Sequence, residues 1–112
     1  MKYAMIIDYG YCTDCHTCEI SCRKEKHLPL EEWGIKVQQI GPAKIEGEWE
    51  WDYVPVPSRA CDLCVDRIEA GNVPLCQLHC LANVIDVVPI EEVGKRMDDL
   101  NRGKVSCFIP TI

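Results

Sequence analysis

Residues 12–22 read CTDCHTCEISC and set Cys12, Cys15, Cys18 and Cys22 in the spacing C-x2-C-x2-C-x3-C. The first three thiols fall within seven residues, so a turning backbone aims successive sulfurs at three irons of one compact cubane. Cys22, three residues further on, has been carried away by the chain. In two-cluster motifs of this spacing the fourth cysteine serves the other cluster. Working outward, a second set at Cys61, Cys64, Cys76 and Cys80 has the spacing C-x2-C-x11-C-x3-C and supplies the four thiols still missing. Eight thiolates suit two [4Fe–4S] clusters, groups that serve mainly to pass electrons. The pattern predicts one cluster held by Cys12, Cys15, Cys18 and Cys80, and a second held by Cys61, Cys64, Cys76 and Cys22.

Competing chemistries fit less well. Structural zinc uses four thiolates in tetrahedral geometry, commonly as two C-x2-C pairs split by a longer loop. The second set alone is compatible with that, but three cysteines two residues apart crowd a single ion. A disulfide framework is disfavoured by the odd total of nine cysteines and by the opening MKYAMIID, too short an apolar run for a secretory signal. The Cys61-Asp-Leu-Cys64 pair matches a thioredoxin-type redox motif in spacing but lacks the βαβ setting that motif requires.

The 112 residues are expected to form a single domain, 1–112. So small a core would be stapled from within by clusters, making folding and metal binding one event. The formal net charge of −6 argues against nucleic acid and suits docking on a basic patch of a redox partner. No apolar stretch is long enough to span a membrane. The opening residues favour a cytoplasmic location, with export on a signal-bearing partner left open.

Local patterns place the motifs. Residues 1–8 read as a strand entering the first cysteine loop, and a helix over Glu19–Lys26 should close at His27-Leu28-Pro29. Trp33–Ile40, ended by Gly41-Pro42, and the alternating Glu46–Val56 suggest a hairpin. Residues 65–75 read as a helical turn closed by Gly71-Asn72, and Asn83–Val88 as the strand that pairs with the N-terminal one. After Pro89, the spacing of Ile90, Val93, Met97 and Leu100 predicts a helix with a core-facing stripe, ended by Asn101–Gly103. Val105–Ile109 can form a last strand. Cys107 fits neither cysteine group and reads as a small buried hydrophobe. His16 and His79 are surplus to eight thiols, and Arg23 and Lys24 can place positive charge near a cluster. Trp33, Trp49 and Trp51 are expected to cover a small hairpin core, with a docking surface as the alternative.

The stretch CTDCHTCEISCRKEKHLP resembles the first cysteine group of the iron–sulfur subunits that accompany molybdopterin oxidoreductases of the dimethyl sulfoxide and nitrate reductase type. The stretch CDLCVDRIEAGNVPLCQLHCLANVIDVVPIEEV is similar to that family's last group. Such subunits usually carry four groups. The two middle groups are absent here, so the chain looks like a minimal two-cluster version. The resemblance implies that the outer groups complete each other's clusters. Where the family often has proline after the last cysteine of a group, Arg23 and Leu81 stand here, which puts no ligand in doubt. The expectation is therefore α+β: a bacterial two-[4Fe–4S] ferredoxin-like fold with a β-hairpin insertion and a C-terminal helical extension. The implied function is electron relay to or from a larger molybdenum or tungsten pterin catalytic subunit, or a soluble donor or acceptor. No catalytic constellation of the chain's own is evident. A free-standing ferredoxin and a zinc-stabilised interaction module are the alternatives.

Overall fold

The computed structural model describes residues 3–12, 15–29, 31–100 and 104–109. Its centre is a three-stranded antiparallel sheet in the order β4–β1–β5. β1 (Tyr3–Ile7) is the apolar run YAMII, whose last four residues are all buried. It can be apolar on both faces because the core packs on one, through Met5 and Ile7, and the C-terminal helix over residues 93–100 packs against the strand as well. β4 (Ile85–Pro89) pairs with it from Tyr3↔Pro89 to Ile7↔Ile85. β5 (Ser106–Phe108) lies along its other edge, from Met5↔Phe108 to Ile7↔Ser106. The expected pairing of residues 83–88 with the N-terminal strand is thus present, and the last strand forms too.

Helix α1 (Thr17–Lys26) follows the first cysteine loop and ends at His27, which adopts left-handed geometry at φ 53°. Its last turn carries Arg23, Lys24 and Lys26, charges that complement the negative end of a helix dipole. Two five-residue helices, α2 (Val65–Glu69) and α3 (Leu75–His79), flank the approach to the last two cysteines of the second set. Gly71, at φ 90°, turns the chain between them. After a 3-10 turn at Ile90–Glu92 the chain forms α4 (Val93–Leu100). Its stripe is only half-buried: no residue of α4 is fully covered, and Ile90 is exposed. The expected end of this helix at residues 101–103 lies outside the described residues.

The hairpin is longer than its sequence suggests. β2 (Ile35–Ile45) pairs antiparallel with β3 (Glu48–Pro57). Gly41-Pro42 does not end the strand; the register shifts there, between Ile40 and Ala43, and pairing resumes. A bulge tolerates proline because it removes the ladder bond that proline cannot make. Gly41 is required at that point: at φ 84°, an added β-carbon would fall 2.0 Å from the Glu50 carbonyl oxygen. Glu46 (φ 51°) and Gly47 (φ 86°) form a two-residue turn with both φ angles positive, which suits the natural twist of a hairpin.

One face of β3 is tied to the body, because Lys104 donates to both Glu50 and Asp52. The alternate residues point away, leaving Trp49 70% and Trp51 55% exposed. The expectation that the tryptophans cover a hairpin core is therefore not met. Lys44 Nζ lies 5.9 Å from the ring centre of Trp49, and Lys36 Nζ lies 4.7 Å from that of Trp33. Among the described residues no helix is long and apolar enough to cross a membrane.

Candidate functional site

The core contains two hollows. Cys12, Cys15, Cys18 and Cys80 line the first, together with His16, Val37, Pro55, Ala82, Val84 and Ile85. Cys22, Cys61, Cys64 and Cys76 line the second, together with Met5, Ile35, Leu63, Pro74, Leu75 and the charged Glu25, Lys26 and Asp62. Each hollow thus takes three thiols from one cysteine set and one from the other.

The helices produce this exchange. Cys18 and Cys22 are four residues apart on α1 and share one face of it, as do Cys76 and Cys80 at α3 and its C-cap. α1 and α3 pack against each other. Each helix therefore places one thiol at each hollow, and four residues of helix separate the two thiols by only about 6 Å along the axis. Cys18, Cys22, Cys61 and Cys76 belong to the same buried cluster as Met5, Ile7, Ile35, Val37 and Ile85.

The loops are held in conformations that turn thiols inward. His16 sits at φ 61° just before α1. Leu63 and Cys64 sit at φ 60° and 50°, a left-handed pair that costs about 1–3 kcal/mol per residue. The Asp62 carboxylate offsets that strain by accepting the Cys64 N–H at 2.8 Å. Backbone N–H groups approach two sulfurs: Leu63 N lies 3.4 Å from Cys61 Sγ, and Val84 N lies 3.4 Å from Cys80 Sγ. Gly34 leaves room for a third sulfur, since a β-carbon there would fall 2.2 Å from Cys22 Sγ.

Burial dominates the thiol chemistry. It pushes Cys18 up to about 12, helped by the charge of Glu19, and Cys61 up to about 11. It also raises Cys22, Cys64 and Cys76. Nucleophilic or redox-active cysteines need the opposite, a thiolate favoured near neutral pH. The strands around the sheet are all antiparallel, so Cys61 and Cys64 also lack a thioredoxin-like βαβ setting. These thiols are suited to giving up protons only when a metal replaces them.

The donor set fits iron–sulfur clusters. Four thiols per hollow, apolar walls and inward N–H groups match the thiolate ligation and sulfur hydrogen bonding that such groups use. Among the described residues, no three His, Cys, Asp or Glu side chains gather as a site for one metal ion. The thiols instead stand around the walls of a space.

Other residues fall into place around the hollows. His16 borders the first hollow and pairs with Glu19, and His79 is exposed on α3. Arg23 donates to the Glu32 carbonyl at 3.1 Å, Lys24 is exposed, and neither lines a hollow. The basic residue that does is Lys26, which sequence reasoning missed; its place one turn beyond Cys22 on the same helix was the available signal. Cys107 is half-buried on β5 opposite Ile6. Paired residues on neighbouring strands share a face, and Ile6 faces away from the cluster of cysteines that Met5 and Ile7 join. Cys107 therefore lies on the far side of the sheet from both hollows.

No family model matches the chain. It is similar to the B subunit of the anaerobic dimethyl sulfoxide reductase of Escherichia coli (strain K12). The identity is 22% over 166 aligned residues, covering 88% of this chain and 79% of that protein. That alignment is longer than the chain's 112 residues, so it crosses segments of the relative with no counterpart here. The chain is also 24% identical over 96 residues to the B subunit of the anaerobic dimethyl sulfoxide reductase of Shigella flexneri. There the match covers 86% of this chain but only 36% of the relative's length.

Proposed function

We propose that this chain relays single electrons through two [4Fe–4S] clusters, on a ferredoxin-like α+β domain. One cluster would be held by Cys12, Cys15, Cys18 and Cys80, the other by Cys22, Cys61, Cys64 and Cys76. The observation that carries the reading is the pair of neighbouring hollows, each walled by four thiols drawn from both cysteine sets. Electron tunnelling falls steeply with distance, and thiols of the two sites lie one helical turn apart on α1. The protein's own part is to hold the ligands, exclude water with apolar walls and fix the charges nearby.

The proposed setting is a small electron-transfer subunit serving a larger molybdenum or tungsten pterin oxidoreductase, which would carry the substrate chemistry. Similarity to the B subunits of the two dimethyl sulfoxide reductases supports this, and the segments of the Escherichia coli relative that the alignment crosses without a counterpart here suit a two-cluster version. The exposed Trp49 and Trp51 supply a surface for a partner. Anaerobic iron and sulfide analysis of the purified chain tests the core of the reading, with about eight of each expected per chain. A colourless zinc protein would overturn it. Recovery of the native protein with a large pterin-containing chain tests the setting, and elution as a lone small monomer would favour a free ferredoxin.

A further inference from the structure

The two sites differ in their fixed charges. At the second hollow Lys26 joins the cysteines in the wall with the exposed carboxylates of Glu25 and Asp62, and its ammonium lies 2.6 Å from Asp62 Oδ2. The pair spans the fold: Lys26 ends α1, and Asp62 stands between Cys61 and Cys64. Asp62 uses its other oxygen to accept the Cys64 N–H. The two charges do not cancel. The Lys26 side chain is 25% exposed and that of Asp62 52%, so water screens the carboxylate more. At the first hollow no lysine or arginine among the described residues lines the wall, and Glu19 nearby pairs with His16.

From this asymmetry we infer that Lys26 is a positioning residue that raises the reduction potential of the Cys22/Cys61/Cys64/Cys76 site. A cluster that takes one electron from a donor gains one negative charge, and no bond forms or breaks. A nearby poorly screened ammonium stabilises that added charge, and a nearby carboxylate opposes it. The strut from Lys26 through Asp62 to the Cys64 amide fixes the ammonium relative to the thiols, so its charge acts at a set distance.

The inference rests on the two-cluster reading and is tested by redox titration followed by electron paramagnetic resonance, with Cys61→Ser identifying the signal of the second site. Lys26→Met keeps the apolar stem and removes the charge; it should shift the second site's midpoint negative and leave the first unchanged. Lys26→Arg should restore it. Asp62→Asn keeps an acceptor for Cys64 and removes the opposing charge, so it should shift the same midpoint positive. A wild-type chain without iron refutes the function itself. A wild-type chain with two clusters, whose second midpoint ignores Lys26→Met or moves together with the first, refutes only the role of Lys26. If Lys26→Met does not retain its second cluster, Asp62→Asn decides, and an unchanged or lowered midpoint there overturns the inference.

Discussion

Cys18 and Cys22 stand one turn apart on the same face of α1, yet each lines a different hollow. If the hollows hold clusters, damage at one cysteine appears at the other motif's site. Cys22→Ser should remove the paramagnetic signal that Cys61→Ser removes, and Cys80→Ser the signal that Cys12→Ser removes. Loss of different signals by Cys22→Ser and Cys61→Ser would refute the crossed assignment. Cys107→Ser, on the far side of the sheet, should leave both signals intact.

Gly34 has no room for a side chain beside Cys22. Gly34→Ala must displace the sulfur or the strand start, and both belong to the second hollow. Iron content should fall from about eight to about four per chain, with the first site's signal retained. Full iron content in Gly34→Ala would show that the backbone relaxes at little cost.

The exposed tryptophans make a distinction between packing and docking measurable. Trp49→Ala and Trp51→Ala should change stability by no more than about 0.5 kcal/mol, as exposed positions usually do. Aromatic anchors of an interface carry more, about 2 kcal/mol or above each, so complex formation should weaken while both clusters persist. Unfolding or cluster loss in these variants would assign the rings a structural role.

Raised thiol pKa values predict slow alkylation of the metal-free folded chain. Thiolate is the reacting form, and burial lifts Cys61 from 9.0 to about 11 and Cys18 to about 12. At pH 7 Cys61 should react about 100-fold more slowly than in denaturant, and its rate should keep climbing well past pH 9. Mass spectrometry of alkylated peptides across pH reads this directly. A plateau near pH 9 would mean that these thiols are not desolvated, or that the chain opens when metal is absent, which circular dichroism of the same sample distinguishes.

Legibility followed the range of the forces involved. The helix after the first cysteine loop, the pairing of β1 with β4 and the hairpin all rest on local signals: periodicity, glycine turns and a buried apolar run. The grouping of cysteines rested on spacing and on the family resemblance, and the structure gathers the same thiols around the two hollows. What the sequence concealed depends on long-range placement. Five residues of α3 are too few to show a period, and a strand that continues past Gly41-Pro42 needs its partner to supply the pairing. The outward turn of Trp49 and Trp51 follows from Lys104, 54 and 52 residues downstream of its partners Glu50 and Asp52, claiming the opposite face of β3. Lys26 owes its position at the second hollow to Asp62, thirty-six residues away.

The exchange of thiols between α1 and α3 also sets a timetable for the growing chain. The first hollow has three of its four cysteines once residue 18 has been made, but its fourth wall arrives only with Cys80. The second hollow waits for Cys76. Neither site is complete until residue 76 has emerged from the ribosome. If the hollows hold clusters, iron delivery to either can finish only after residue 76 has been made, and a fragment cut between the two cysteine sets would finish neither site.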